Sequence, residues 1–195
     1  PYNLFHAMNK SNPTETKNPS LLKSLITPAL PIVRSDRRRI VFSGLWGSAK
    51  AAVTAGLADE INAPFFVLTA TDAQAESFYQ DLVCWMNLIG RPTDDAILFP
   101  STETLPYELT SPHPDLIRRR MQALFRITGY RSKILITSVP AVMRRVLSPA
   151  ALGESTVPLE IGQSSNRDGM IESLIGLGYS RTESVEHPGE FSVRG

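Results

Sequence analysis

One segment of the sequence has the spacing of a phosphate-binding loop. Residues Gly44 to Ala51, GLWGSAKA, follow a predicted strand over Arg39–Ser43 and precede a predicted helix. Glycines in such a loop let successive backbone N–H groups turn toward a phosphate, a lysine adds positive charge, and a following Ser or Thr binds Mg²⁺. The residues that would carry this chemistry are Gly44, Gly47, Ser48 and Lys50.

The same segment lacks two parts of a working nucleotide site. Ala49 stands where glycine is usual, and Ala51 has no hydroxyl for Mg²⁺. Later predicted strands end in Phe99-Pro100 and Thr137-Ser138, without the acidic residues that would hold the metal. We therefore expect a turn kept for its backbone shape that does not hydrolyse ATP. The alternative is an enzyme fragment in which Lys50 still binds a nucleotide at the helix N-terminus.

The remaining reactive residues do not have catalytic or metal-binding spacing. His6, His113 and His187 lie far apart in the sequence, so no metal site is expected. His113 stands between prolines and is expected to cap a helix or to lie at the surface. Cys84 is the only cysteine, which excludes a disulfide framework and indicates a reducing compartment. Its place within a helical period predicts a buried thiol.

Basic residues are concentrated at the start of the chain and in one predicted helix. Residues 1–39 have a formal charge of +5 and the rest −4, which together give the +1 of the whole chain. The Pro-rich leader, residues 1–38, is expected to be flexible with one short helix near Leu21–Leu25. Arg118 to Arg120 point about 100° apart on a helix and cannot form a flat phosphate clamp. Solvation or internal pairing is favoured over nucleic-acid contact there, and Arg144-Arg145 has the same ambiguity.

Short β-rich runs alternate with helical periods from residue 39 onward. This alternation is the signature of βαβ units and predicts an α/β fold with a mostly parallel sheet. Further strands are predicted over Phe65–Leu68, Ala96–Phe99 and Lys133–Thr137. Helices are predicted over Ala51–Ile61, from Asp72, after Ser111-Pro112-His113-Pro114-Asp115, and over Ala141–Val146. The helix after Asp115 is expected to bury Ile117, Met121, Leu124 and Phe125.

The pattern breaks at Ser148–Ser155, where we predict a domain boundary. It separates an α/β domain over 39–150 from a smaller unit over 151–195. The predicted elements of that unit are a strand over Val157–Ile161, a helix over Arg167–Leu177 capped by Gly178, and extended runs over Arg181–Val185 and Glu190–Val193 joined by His187-Pro188-Gly189. Four elements in about 40 residues are too few for a self-sufficient core, so we expect this unit to be truncated.

Composition excludes several other classes of protein. The chain has 195 residues, of which 42% are hydrophobic and 20% charged, enough for one domain and part of a second. It has no run of about 18 apolar residues that could span a membrane, and no apolar block of a secretory signal. A cytoplasmic location is therefore expected.

Several motifs, taken in order, resemble the N-terminal UvrB-homology region of bacterial transcription-repair coupling factor (Mfd). The resemblance covers about residues 35 to 195. Its most specific stretches are FPSTETLPY at 99–107, SPHPDL at 111–116, LITSVPAV at 135–142 and EHPGEFSVRG at 186–195. Further matches in the same order are the phosphate-loop segment, Gly162-Gln163 and Gly178-Tyr179.

The resemblance implies a degenerate, P-loop NTPase-like and UvrB-like α/β domain, followed by part of an inserted α+β domain that binds the repair protein UvrA. It implies a non-hydrolysing scaffold that recruits UvrA in transcription-coupled nucleotide excision repair, with no cofactor of its own. Arg194 matches a UvrA-contacting arginine of the family. The family's other UvrA contacts would lie beyond Gly195. The domains that bind RNA polymerase, and the motor domains that use ATP and Mg²⁺ to translocate on DNA, also lie outside this chain.

Phe191, close to Arg194, has two possible roles. Strand alternation places Phe191 and Val193 on one face and Ser192 with Arg194 on the other. We therefore expect Phe191 to be a core residue, although an apolar anchor for the partner is the alternative.

Overall fold

The computed structural model describes residues 19–36, 38–102, 113–129, 133–157, 159, 161–162 and 164–193. These residues form a mixed α/β structure whose chain divides into two compact units. The first unit comprises residues Pro1–Asn62 and Gln80–Thr93, and the second comprises Ala63–Tyr79 and Asp94–Gly195. The predicted boundary near residue 150 stays a prediction.

The first unit is helical in its described part. It contains α1 (Pro19–Ile26), α2 (Leu30–Val33), α3 (Ala49–Glu60) and the second half of α4 (Asp72–Ile89). Helix α1 confirms the short helix expected in the leader, and its Ile26 is buried against α3. A Cβ at Gly56 would lie 3.0 Å from Ile26 Cγ2, so glycine permits this close approach of the two helices.

The strand predicted over Arg39–Ser43 is absent, because residues 39–43 have no regular structure. The side chain of Val41 is 75% exposed and that of Phe42 is 40% exposed. Apolar and β-branched residues favour a strand only when a neighbouring strand and a covered face stabilise it. The sheet that the described residues form does not include this run.

A three-stranded parallel sheet forms the centre of the second unit. Its strands are β1 (Phe65–Thr69), β2 (Ala96–Phe99) and β3 (Ile134–Ser138), in the order β1-β3-β2. These strands confirm the parallel sheet predicted from the sequence. The central strand β3 is the most buried, with Ile134 and Ile136 fully inaccessible, whereas alternate residues of the edge strand β1 are exposed.

Helix α5 (Pro114–Thr128) packs against the sheet through a face other than the predicted one. Ala123 is fully buried and Arg120 is 8% exposed, while Ile117 and Phe125 are both 44% exposed. Ala123 packs with Ile97 and Phe99 of β2, because its small side chain allows the helix to approach the strand closely. The prediction that Ile117, Met121 and Phe125 are buried is therefore wrong, and their apolar side chains lie at the surface.

The expectation of a buried Cys84 is also wrong, because this residue is exposed. Leu82 and Met86, four residues apart on α4, are fully buried. Cys84 lies two positions from each of them, about 200° around the helix, and therefore points away from the buried face.

The second unit continues with short helices and a small pair of strands. Helices α6 (Val139–Val142) and α7 (Pro149–Glu154) follow β3, and α8 (Arg167–Gly176) precedes β4 (Ser180–Arg181) and β5 (Glu190–Phe191). The described residues within 157–161 show no strand, so that prediction is wrong. Helix α7 forms where the sequence pattern breaks, because Ser148 caps it by accepting a hydrogen bond from the Ala151 N–H.

Candidate functional site

The phosphate-loop segment forms a turn whose backbone requires its glycines. Gly44 and Gly47 have φ angles of 76° and 53°, in the left-handed region that favours glycine. Helix α3 begins directly afterwards at Ala49, and Ser48 precedes it without a side-chain capping bond. The sequence therefore predicted the turn and the helix that follows it, although the helix begins two residues before the predicted Ala51 and the preceding strand is absent.

This turn has few of the groups that a nucleotide site needs. Lys50 is exposed, as are Gly44, Gly47 and Ser48. The first turn of α3 has no acidic residue, and the described part of the chain contains no cluster of His, Cys, Asp and Glu that could hold a metal ion. A helix N-terminus still favours an anion through its unpaired N–H groups, but that attraction is weak and screened at an exposed site.

We expect calorimetry to detect no binding of Mg-ATP at about 1 mM nucleotide, because an exposed turn without a metal ligand gives too little binding free energy. The Lys50→Ala variant should give the same flat titration. Micromolar binding by the unmodified chain that Lys50→Ala abolishes would contradict this prediction and favour the nucleotide-binding alternative.

The carboxylate of Asp72 joins the carboxyl ends of two strands to the start of α4. Its Oδ1 accepts hydrogen bonds from Ser138 Oγ at 2.5 Å and from the Ser101 N–H at 3.3 Å, and its Oδ2 accepts one from Ser101 Oγ. Ser138 ends β3 and also accepts from the Ala141 N–H at 3.2 Å, which caps α6. The cluster therefore holds the β2 and β3 ends in fixed positions beside α4.

Electrostatics explain why this carboxylate stays ionised. Burial raises the pKa of Asp72, but hydrogen bonds from Ser101 and Ser138, together with the positive charge of Arg120, outweigh it and hold that pKa below its ordinary value of 3.8. Both serine hydroxyls donate to the carboxylate, and its lowered pKa makes it a weak base for activating either of them as a nucleophile. The cluster is therefore a structural device.

Sequence reasoning did not single out this cluster. The available signal was an aspartate at the first position of a helix that follows a strand, with serines immediately after or at the end of two other parallel strands. Because the carboxyl ends of parallel strands meet at one edge of a sheet, such residues are brought together. The sequence alone did not show which of the several serines near strand ends would be used.

The arginine triplet of α5 is engaged within the chain. Arg118 forms an ion pair with Asp115 at 2.7 Å, and Arg119 forms one with Glu76 at 3.2 Å. The buried Arg120 donates to the Pro100 carbonyl, and its guanidinium carbon lies 4.2 Å from the centroid of the Phe99 ring. These contacts agree with the internal pairing that the sequence favoured over nucleic-acid contact.

His113 caps α5, which is one of the two roles expected for it. Its Nδ1 accepts a hydrogen bond from the Asp115 N–H at 3.3 Å, and Pro114 occupies the first helical position.

The end of the described chain forms a small surface built on one turn. Helix α8 ends in a Schellman motif, in which Gly178 has a φ of 85° and its N–H donates to the Ile175 carbonyl. Strands β4 and β5 then pair in parallel, with Arg181 opposite Phe191. Phe191 is 9% exposed, which confirms its predicted place in a core.

The carboxylate of Glu190 stabilises the turn between these strands. Its Oε2 accepts hydrogen bonds from the Glu186 N–H at 2.8 Å and the His187 N–H at 3.0 Å. These two bonds lower the pKa of Glu190 below its ordinary value. The loop that leads into β5 is therefore held by a charged cap in a defined shape.

A shallow groove of about 440 Å³ lies beside this strand pair. Its lining residues are Arg181, Thr182, Glu183, Ser192 and Val193. Ser192 Oγ donates to the Glu183 carbonyl at 2.9 Å, whereas Thr182 Oγ1 is buried without a hydrogen-bond partner among the described residues. Arg194 and Gly195 directly follow Val193 and lie outside the described residues, so the role of Arg194 stays a prediction.

The predicted site residues belong to different parts of the chain. Gly44, Gly47, Ser48 and Lys50 belong to the first unit, whereas the groove before Arg194 belongs to the second. No helix in the described part of the chain is long and apolar enough to cross a membrane.

Comparison with known proteins gives a family match and several similar sequences. Residues 157–195 match the family described as the UvrB interaction domain. The chain is 31% identical over 156 residues to a transcription-repair-coupling factor of Bacillus subtilis, and 32% identical over 160 residues to one of Myxococcus xanthus, covering 80% and 81% of this chain. A transcription-repair-coupling factor of Escherichia coli is 30% identical over 167 residues, or 85% of the chain. The matched part is only 13% to 14% of the length of each relative.

Proposed function

Because the chain belongs to the transcription-repair-coupling factor family and corresponds to its N-terminal region, we propose that it recruits a UvrA-type repair protein in transcription-coupled nucleotide excision repair. One observation carries this proposal: the family match to the UvrB interaction domain covers residues 157–195, the segment that contains the capped turn and the groove. The binding of RNA polymerase and of DNA, and ATP-driven translocation on DNA, would belong to other parts of the full-length relatives.

We propose that the UvrA-type protein binds to the surface around β4 and β5. Its shape is supported by the Glu190 cap and by the buried Phe191, which together present residues 192 and 193 in a defined position. Arg194 comes next in the chain, and an arginine there can make a bidentate, charge-assisted contact with a carboxylate of the partner. Thr182 Oγ1, buried without a partner among the described residues, is a further polar group on this surface.

We also propose that the α/β part is a non-hydrolysing scaffold derived from a phosphate-loop fold. The positive φ angles of Gly44 and Gly47 before α3 support that origin. Ala51, which has no hydroxyl for Mg²⁺, and the exposed position of Lys50 support the loss of hydrolysis.

The proposed function is tested by titrating a purified UvrA-type protein with this chain. We expect Arg194→Ala to weaken binding by about 10- to 100-fold, since a hydrogen bond to a charged group contributes about 1.5 to 3 kcal/mol. Arg167→Ala is the matched control, because Arg167 is an exposed arginine in the same family-matching segment, and it should change affinity by less than about twofold.

Two outcomes of this titration would count against the proposal. Equal affinity of the unmodified chain and Arg194→Ala would remove Arg194 from the interface. No binding of the unmodified chain at about 100 μM would contradict recruitment of a UvrA-type protein by this segment.

A further inference from the structure

A second groove, larger than the first, lies between α5 and the segment after α6. It has a volume of about 510 Å³. Its apolar lining comes from Ile117, Met121 and Leu124 on α5 and from Val146 and Leu147 beyond α6. We call this surface the arginine-rimmed groove, because the other described residues of its lining are three arginines and Thr102.

The apolar side chains of this groove are unusually accessible. Met121 is 37% exposed, and Val146 and Leu147 are 48% and 45% exposed. They face one another from two elements and so form a continuous concave surface, in contrast to isolated apolar residues on a convex surface. An apolar side chain placed in the groove would bury apolar surface on both walls. Each Å² buried would stabilise the complex by roughly 25 cal/mol.

The charged residues that the structure describes in the lining are all arginines. Arg120, Arg144 and Arg145 line the groove, and its lining within the described chain includes no acidic residue. Burial lowers the pKa of Arg120, and the positive charge of Arg144 lowers it further, while Asp72 acts in the opposite direction. The positive charges of Arg120 and Arg144 act on the same place, and a carboxylate of a bound partner would be attracted there.

A hydrogen-bonding group in the same groove has no partner within the described part of the chain. Thr102 Oγ1 is buried and has no hydrogen-bond partner among the described residues, although Thr102 lines the groove. A buried hydroxyl without a partner is costly, typically about 1 to 3 kcal/mol, and a ligand that offers an acceptor would satisfy it. Apolar walls, a cationic rim and a hydroxyl without a described partner thus occur together on one surface.

We propose that the arginine-rimmed groove binds an acidic amphipathic segment of a partner protein. Leucine-like side chains of that segment fill the apolar lining, and neighbouring carboxylates pair with Arg144 and Arg145. The groove lies outside residues 157–195 and is therefore a second interaction surface, in addition to the proposed UvrA-type contact.

Charge and composition favour this occupant over two others. A second copy of the chain bound through the same groove would place its arginines against these arginines, because a two-fold interface repeats the same patch. A nucleic acid pairs its phosphates with cations and stacks its bases on aromatic rings, whereas the described apolar lining consists of aliphatic side chains and a methionine. An acidic segment with leucine-like residues matches both parts of the surface.

The test uses a fluorescein-labelled peptide of about 14 residues that carries two leucines four positions apart and four glutamates. One twin peptide has glutamine at every glutamate position, and a second has alanine at both leucine positions. Fluorescence anisotropy with the whole chain should give a Kd of about 10 to 100 μM for the first peptide at low salt. Both twins should bind at least about tenfold more weakly, because each lacks one half of the match.

The protein variant is Arg144→Glu/Arg145→Glu, which reverses the charge of the rim without changing the apolar lining. This variant should bind the glutamate peptide at least about tenfold more weakly. Arg38→Glu/Arg39→Glu is the matched control, because it makes the same charge change at another adjacent arginine pair. Its affinity for the glutamate peptide should stay within about twofold of that of the unmodified chain. Urea unfolding curves that coincide with that of the unmodified chain would show that both variants fold.

Hydrogen exchange with the bound peptide should protect residues 117–124 and 144–147, and binding of a UvrA-type protein should not change in the rim variant. The proposal is overturned if the rim variant or the glutamine twin binds the peptide normally, or if protection maps elsewhere. Self-association that the rim variant abolishes would identify a second copy as the occupant. Competition by an oligonucleotide at the peptide's own concentration would identify a nucleic acid.

Discussion

Asp72→Ala is expected to lower the free energy of unfolding by about 3 kcal/mol. The substitution removes a carboxylate that accepts hydrogen bonds from both Ser101 and Ser138, and it leaves these two buried serines without their partner. A hydrogen bond to a charged group contributes about 1.5 to 3 kcal/mol, and contributions within one cluster do not add fully. Urea unfolding followed by circular dichroism measures the change.

A comparison of Asp72→Asn with Asp168→Asn separates the stabilisation by this cluster from the general effect of a negative charge at a helix N-terminus. Both aspartates lie in the first turn of a helix, but Asp168 is exposed. Loss of a negative charge at a helix N-terminus costs about 0.3 to 1 kcal/mol, which is all that Asp168→Asn should show. Asp72→Asn should cost about 2 kcal/mol, and equal losses in the two variants would contradict the assigned role of the cluster.

We expect Asp72→Asn to change the pH dependence of the free energy of unfolding. The pKa of Asp72 is lowered in the folded chain, so its stabilising contribution is present above the ordinary value of 3.8 and is lost as pH falls toward the folded-state pKa. The difference in stability between the unmodified chain and Asp72→Asn should therefore shrink below about pH 4. A constant difference between pH 7 and pH 3 would show that ionisation of Asp72 does not contribute.

Ile136→Ala is expected to lower the free energy of unfolding by about 3 to 4 kcal/mol. Ile136 is fully buried on the central strand and lies between Val67 of β1 and Leu98 of β2. Truncating a buried isoleucine removes apolar burial and leaves a cavity, which together typically cost about 2 to 5 kcal/mol. Urea unfolding of the purified variant measures this loss.

Phe66→Ala on the edge strand β1 is the control for Ile136→Ala. Phe66 is 59% exposed, although an aromatic residue in a predicted parallel strand would ordinarily be buried. Its truncation should cost less than about 1 kcal/mol. A cost equal to that of Ile136→Ala would mean that this face of β1 is covered in solution.

Local patterns predicted most of the elements of this chain. Strand β2 coincides with its predicted range, and the start of α3 and the cap of α8 at Gly178 were predicted from their glycines and spacing. These features depend on φ preferences, capping and periodicity within a few neighbouring residues, which the sequence displays directly. The run at 39–43 has strand-like composition too, but its structure depends on whether another strand pairs with it.

The faces of the helices were harder to predict. The apolar residues of α5 recur at helical spacing, which predicted that Ile117 and Met121 are buried. In the structure Arg120 and Ala123 occupy the buried face, because Ala123 permits a close approach to the sheet and Arg120 stacks on Phe99. Periodicity shows that a helix has an apolar stripe, but it does not show whether this chain covers that stripe.

The sequence by itself determined an α/β chain with parallel strands, a glycine turn before α3 and a resemblance to a repair-coupling family. Only the tertiary structure decided that Asp72 meets Ser101 and Ser138, which lie 29 and 66 residues away, and that apolar side chains and arginines line one groove beside α5. The reason is physical: turns, caps and periodicity act between near neighbours, whereas burial and side-chain pairing depend on which distant segments pack together.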